Sequence, residues 1–400
     1  MVKYIDGKPA NGILYDWKKI EKEYNALGVP PQFYRPPFSA IPYNKYFGAL
    51  SDRSTGKTTG WILLGMVMNK LYGTQIQYVR TTADELTPSF ADELVGAIKD
   101  YNGGEYILKL TDGVYNSIYY HWKQFFYCCV DEKGNRVAVA PESFIQCLSI
   151  DRHGDYKSSY NAPKGDLIIL DEFIGKYYRP NEAIDFFDLT KTIIRERQSP
   201  IIAMLANTIK LSSQYFEEFE ISREVVNMKK GERRQFITAK GTHILLEIVD
   251  SEVTRSKERK EVNRLFYGFK NPKLGAITGE TLFAFDSVPH TPPHDGTWYA
   301  IENRIFIETG LDLIKCVYCY SNDLGYHFEI HRATRTYDDS VILTLEAPTD
   351  ARQLWGFGTP RMCKIWGRML ADRKIFFSSN EVGTIFNDYL QRYRVLKTRT

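Results

Sequence analysis

Between Lys45 and Gly73 the chain passes from KYFGALS through SDRSTGKT into TGWILLGMVMNKLYG. The first run predicts a strand and the second a turn. The third predicts a buried helix that stops at Gly73, where glycine accepts a left-handed backbone. Residues 51–58 match G-x-x-x-x-G-K-[ST], with Ser51 at the first glycine position. Such a turn wraps backbone N–H groups around the β- and γ-phosphates of a nucleotide, at a helix N-terminus whose dipole favours anions. In this reading Ser51, Asp52, Arg53, Ser54, Thr55, Gly56, Lys57, Thr58 and Thr59 form the phosphate loop. Lys57 places a cation on the phosphates, and the Thr58 hydroxyl can ligate Mg²⁺. A chance G-K-T in a loop is the competing reading, and the flanking strand and helix count against it.

A partner motif lies at Leu167–Glu172, LIILDE. The apolar run predicts a central strand that delivers Asp171 to its carboxyl end, where it can hold Mg²⁺ through water. Glu172 beside it can polarise the attacking water. Two adjacent acids favour an additional-glutamate (ASCE) ATPase over a GTPase, and no N/T-K-x-D guanine-reading run is present. Arg53 can touch phosphate from within the loop. Arg195 and Arg197, in IIRERQSP, end a helix at the edge of this domain, where an arginine can reach a neighbouring subunit's ATP. A solvated surface position is the alternative for each. Asn207 and Thr208 end the following strand, either against the γ-phosphate and attacking water or as a simple turn.

The alternation of TQIQYVR, a helix near ADELVGAIK, LIILD, the helix IDFFDLTKTIIRERQ and PIIAMLANT predicts an α/β core with mostly parallel strands. YILKLTDGVYNSIYYH, FFYCCVDEKGNRVAVA and SFIQCLSI are read as strands joined by turns. Ahead of the core, Tyr15–Leu27 is an amphipathic stretch. VPPQFYRPPFSAIP then reads as an extended arm, because its prolines forbid a regular helix. The arm's aromatics, from Phe33 to Tyr46, suit either an adenine-stacking face or the filling of an apolar crevice. From Ser222 the chain turns polar and weakly periodic, as a linking segment would. After Gly296 come strand-like runs, TWYAIEN, RIFIETG, LIKCVYCYSN and GYHFEIHRA, and NEVGTIFNDYLQRYRVL reads as a closing amphipathic helix.

Composition bounds the remainder. With 43% hydrophobic and 25% charged residues the chain is globular, and a net charge of +3 excludes a wholly cationic protein. The charge is segregated: residues 223–264 hold 11 Lys/Arg against 7 Asp/Glu, and residues 361–400 hold 9 against 3. The rest of the chain is therefore net acidic, which suits nucleic-acid contact outside the catalytic core, although solvated faces explain part of it. Trp61–Met68, the longest apolar run, is too short to span a bilayer, and MVKYIDGKPANG lacks a signal-peptide core. A cytoplasmic protein with reduced thiols is expected. Cys316 and Cys319 form C-x-x-C, but on a strand they would point to opposite faces, so buried apolar cysteines are expected. Cys128 and Cys129 are expected to be packing residues in an aromatic strand. His290 and His294, in HTPPH, are expected in a surface loop without acids nearby.

These segments together resemble the phi-29-like DNA-packaging ATPases of small tailed bacteriophages, relatives of terminase large subunits. The likeness rests on Arg53 within SDRSTGKT, on TQIQYVRTTADEL, on LIILDEF, and on RERQSPIIAMLANT. It covers the first 215 residues closely and the remainder in outline. It implies three parts: a P-loop ATPase domain at 1–220, a linker subdomain at 221–290, and an RNase H-like α+β domain at 291–400. That last domain reads as a vestigial nuclease, because LIKCVYCYSN, taken as its central strand, carries no acid, while Glu329, Asp338 and Asp339 lie in or beside other segments. The resemblance places Lys57, Thr58, Asp171 and Glu172 in the site. It makes Arg197 the first trans-acting finger and Arg195 the next, and puts Lys157 at the subunit boundary. It further implies ATP and Mg²⁺, double-stranded DNA, and a homo-pentameric ring at the portal of a procapsid in the host cytoplasm, with a packaging RNA among the partners. Rival readings are another ring-forming, helicase-like DNA translocase and a nucleotide-gated DNA-binding scaffold.

Overall fold

The computed structural model describes residues 15–30, 33–51, 55–99, 105–157, 160, 162–175, 178–207, 213–250, 288–294, 297–309 and 312–398. The chain divides into two compact units, the first comprising Met1–Gly175, Asn181–Ile209 and Met228–Gly268. Its elements are α1 (Trp17–Ala26), β1 (Tyr46–Leu50), α2 (Lys57–Tyr72), β2 (Ile76–Arg80), α3 (Pro88–Lys99), α4 (Glu105–Leu110), β3 (Ser117–His121) and β4 (Gln124–Val130). They continue with β5 (Arg136–Val139), β6 (Ile145–Ser149), α5 (His153–Tyr156), β7 (Leu167–Asp171), α6 (Glu182–Ile194), β8 (Ile201–Ala206), β9 (Arg233–Ile237) and β10 (His243–Ile248).

Nine of these strands form one sheet in the order β3-β4-β6-β2-β7-β8-β1-β10-β9, and β5 pairs with β4 off that path. The neighbours from β6 through β10 are all parallel, whereas β3, β4, β5 and β9 pair antiparallel at the edges. A central parallel strand has both faces covered, which is why β7 (LIILD) and β8 (IIAMLA) are almost continuously apolar. Helix α2 lies within the core, with Trp61–Leu64 and Met66–Met68 buried. It approaches closely at Gly65, where a Cβ would come within 2.4 Å of Ile76 and 2.9 Å of Leu167. Gly73 caps the helix in the left-handed region, as its sequence position predicts.

Three local expectations change. YILKL, read as the start of a strand, forms α4, because Tyr106, Ile107 and Leu110 bury as a helical stripe. The proline-rich arm is extended only in part: Phe38–Tyr43 winds into a 3₁₀ turn that buries Phe38 and Ile41. Residues 233–248, read within a linking segment, supply β9 and β10 of the large sheet, where HILLEI buries most of its side chains beside β1.

The second unit comprises Lys176–Pro180, Lys210–Asn227 and Phe269–Thr400. It contains α7 (Gln214–Glu218), α8 (Ser222–Val226), β11 (Tyr299–Glu308), β12 (Leu313–Ser321), β13 (Gly325–Ala333), β14 (Val341–Thr344), β15 (Gln353–Trp355), α9 (Pro360–Ala371), β16 (Ile375–Phe377) and α10 (Asn380–Lys397). TWYAIEN and RIFIETG thus merge into one strand, β11, with irregular register between Ala300 and Ile305. The sheet order is β15-β14-β11-β12-β13-β16. Strands β11, β12 and β13 are mutually antiparallel, whereas β14 joins β11, β15 joins β14 and β16 joins β13 in parallel. Apolar side chains of one sheet face pack with α9 and α10, where Phe328 stacks on Trp366 at 3.8 Å. Thr359 and Ser379 cap the two helices by accepting from Met362 N and Val382 N. Arg392 of α10 reaches Glu217 of α7 at 2.9 Å. Among the described residues no helix is long and apolar enough to cross a membrane.

Candidate nucleotide-binding site

In a parallel sheet every strand ends at the same edge, so residues distant in sequence meet there. Strand registers pair Leu50 with Ala206, Leu205 with Asp171, and Leu170 with Val79. The next residues along each strand, Ser51, Asn207, Glu172 and Arg80, therefore gather at one edge, facing the start of α2. Three of them, Arg80, Glu172 and Asn207, line a cleft of about 440 Å³ together with Phe33, Gly56, Lys57, Thr58, Tyr78 and Asp171.

Gly56 turns the chain into α2 at φ 76°, a region costly for residues with a Cβ. A side chain there would also meet Phe33 at 2.6 Å. Lys57 is buried; its Nζ donates to Ser51 Oγ, to Thr55 Oγ1 (3.3 Å) and to Asn207 Oδ1 (3.2 Å). These neutral oxygens hold the ammonium at the loop. The Thr58 hydroxyl donates to Asp171 Oδ2 at 3.2 Å, and the Tyr78 hydroxyl donates to the same oxygen at 2.6 Å. Thr58 and Asp171 thus stand together, as two ligands of one divalent cation would. Burial pushes the Asp171 carboxyl above the usual carboxylate range, and the neighbouring Glu172 adds to that, against lowering contributions from Tyr78, Arg80 and Thr58.

Glu172 has a left-handed backbone, φ 57°, immediately after β7. A non-glycine residue in that region is strained, and such strain concentrates at functional sites. Its carboxylate accepts from Arg80 Nη2 at 2.8 Å and from Asn207 Nδ2 at 3.4 Å. Arg80 also donates to Glu85 at 2.6 Å and lies 3.8 Å from Asp171. Arg80 and Tyr78 escaped sequence reasoning. The signal was the end of TQIQYVR, which becomes informative only once β2 is known to adjoin β7.

The arm contributes through Phe33, at the cleft wall. Tyr34 and Phe38 are buried in the core, and Tyr34 N donates to Thr55 O at 2.9 Å, so the arm braces the loop. Thr59 also lines the cleft. Asp52, Arg53, Ser54 and Thr208 lie outside the described residues.

The two arginines at the end of α6 differ in their surroundings. The Arg197 side chain, 12% exposed, turns inward: it pairs with Asp166 and donates to Pro163 O (2.9 Å), Gly165 O (3.1 Å) and Ile193 O (2.8 Å). Tyr15 donates to the other oxygen of Asp166, which is 1% exposed. A guanidinium so committed braces the core. Arg195 is exposed, has φ 52° at the end of α6, and its side chain donates to Tyr160 O at 3.0 Å. Lys157 is half exposed and pairs with Asp188 at 2.8 Å.

Comparison with solved structures places this fold among phage packaging motors. The phi-28 gp11 DNA packaging motor superposes with a TM-score of 0.52 at 11% identity, over 91% of this chain and 99% of that one. The bacteriophage phi-29 viral genome packaging motor assembly gives 0.52 at 16% identity, over 91% and 100%. At such identities the likeness is one of fold. No family model and no curated protein sequence matches the chain.

Proposed function

We propose that this chain is an ATPase motor that drives double-stranded DNA into a viral procapsid. The observation that carries the reading is the convergence of Lys57, Thr58, Asp171, Glu172 and Asn207 on one cleft at the carboxyl edge of the parallel sheet. The cleft takes the triphosphate against the N-terminus of α2. Lys57 neutralises its oxygens, and Phe33 walls one side. Thr58 and Asp171 would hold Mg²⁺, which supplies charge neutralisation at the phosphates. Glu172 orients water for in-line attack and takes its proton. Arg80 and Asn207 aim that carboxylate. Arg195, exposed beyond α6, is the arginine that reaches a neighbouring subunit's nucleotide, so the active form is a ring.

The second unit fits an RNase H-like domain. Five of its six strands run β13-β12-β11-β14-β15, three antiparallel followed by two parallel, and β16 adds in parallel beside β13. Two-metal hydrolysis takes three or four converging carboxylates, whereas among the described residues the gathered donors include a single carboxylate, Glu329. We therefore assign this unit a DNA- or portal-binding role without cutting.

The test is ATP turnover by purified protein with and without double-stranded DNA, followed by DNase protection of DNA packaged into matching procapsids. Stimulated turnover and protection, both lost in Lys57→Ala, are expected. Undiminished hydrolysis by Lys57→Ala would sink the site assignment, and turnover without protection would sink the motor reading.

A further inference from the structure

One face of the second sheet packs with α9 and α10; Cys319, His327 and Glu329 share the other face. Cys319 of β12 is paired across the sheet with His327 of β13, and Glu329 follows two residues later on the same face. All three are buried, at 0%, 0% and 1% exposure, and one ligand atom from each lies within 4.8 Å of the others. A tetrahedral site with bonds of about 2.0–2.3 Å separates its ligands by roughly 3.3–3.8 Å, so this spacing needs little adjustment to close on an ion. A fourth donor is already in place. His294 Nε2 lies 3.1 and 3.0 Å from the two Glu329 oxygens, and its ring stacks on Trp298 at 4.1 Å. Trp298 Nε1 donates to Glu329 Oε1 at 3.1 Å. His294 was expected in a loop without acids nearby, and that expectation is corrected.

Hydrogen bonding decides what the pocket wants. His327 Nδ1 lies 2.8 Å from the Gly325 carbonyl, which can only accept, so Nδ1 carries a proton. In the neutral ring, Nε2 then presents a lone pair to Glu329 Oε1 at 3.2 Å, lone pair against lone pair. Either a metal ion between them or a second proton on the ring resolves the conflict, and the Cys319 sulfur within reach of both groups favours the metal. The Nδ1–H to carbonyl bond is also the outer-shell contact that orients a metal-bound histidine. One thiolate, two imidazoles and a carboxylate form a mixed S/N/O set that suits Zn²⁺ over Mg²⁺ or Ca²⁺, and four protein ligands leave no position for a reacting water.

We propose that Cys319, His327, Glu329 and His294 form a structural Zn²⁺ site that fastens the segment bearing His294 and Trp298 to the second sheet. Full-length protein, purified under reducing conditions without chelator, is expected to carry one zinc per chain by elemental analysis. Cys319→Ser and His327→Gln are expected to fall below about a tenth of that, while Cys363→Ser keeps it, and chelation is expected to lower the Tm of the wild type. Should the variants misfold, the wild type answers alone: exchange for Co²⁺ should give thiolate-to-cobalt charge transfer and tetrahedral visible bands. Wild-type protein with no stoichiometric metal and no such bands overturns the site and leaves a buried imidazolium–carboxylate pair. Zinc retained in full by both ligand variants overturns it equally.

Discussion

Replacing Arg197 by alanine separates a brace from a catalytic finger. Its guanidinium is the cationic partner of Asp166, which is 1% exposed, while Arg197 itself is 12% exposed. Removal leaves that carboxylate with Tyr15 as its remaining side-chain donor and strips the donor from the Pro163, Gly165 and Ile193 carbonyls. Breaking a buried pair from one side costs about 3–5 kcal/mol, because an uncompensated charge stays behind. With a urea m-value of about 3 kcal/mol/M, the unfolding midpoint should fall by about 1–1.7 M. Urea titration followed by far-UV circular dichroism measures it. Arg195→Ala, losing one exposed hydrogen bond, should stay within about 0.5 kcal/mol of the parent. It should nevertheless lose ring-dependent ATP turnover, and regain some when mixed with Lys57→Ala subunits that donate an intact Arg195. An unchanged midpoint for Arg197→Ala together with lost turnover would refute the assignment and return the finger to Arg197.

Other expectations follow from the same cleft. Asp171→Asn should abolish turnover yet raise the Tm of the nucleotide-free protein. Burial raises this carboxyl's pKa, so the folded state holds the proton more tightly than the unfolded chain. Its contribution to stability therefore falls as pH rises from the ordinary carboxylate pKa through the raised value, and thermal melts across that window should flatten in the variant. Arg80→Ala leaves Glu172 held by Asn207 alone, and kcat should drop about tenfold to a hundredfold with little change in KM, measured by steady-state hydrolysis. Gly65→Ala forces a methyl against Ile76 and Leu167 and should cost about 1–3 kcal/mol by denaturant titration.

The strand and helix that flank SDRSTGKT, and the strand that ends at Asp171, were legible because each is written in a local run of the sequence. The arginines were not, since Arg195 and Arg197 differ only in where α6 ends and in whether Asp166 and the 163–165 carbonyls lie beneath. Arg80 acquires its role from strand order, and β2 beside β7 is a tertiary fact. YILKL misled because a short apolar run satisfies strand and helix alike, and the buried stripe Tyr106–Ile107–Leu110 decided for helix. His294 was discounted because its carboxylate partner sits 35 residues further on.

The central claim is that Glu172 activates water in a nucleotide held by Lys57. The most direct measurement pairs equilibrium binding of a fluorescent ATP analogue with single-turnover hydrolysis in Glu172→Gln and Lys57→Ala. Glu172→Gln should bind within about threefold of the parent while hydrolysis slows about 10²–10⁴-fold, whereas Lys57→Ala should lose binding. Hydrolysis by Glu172→Gln at the parent rate would contradict the account.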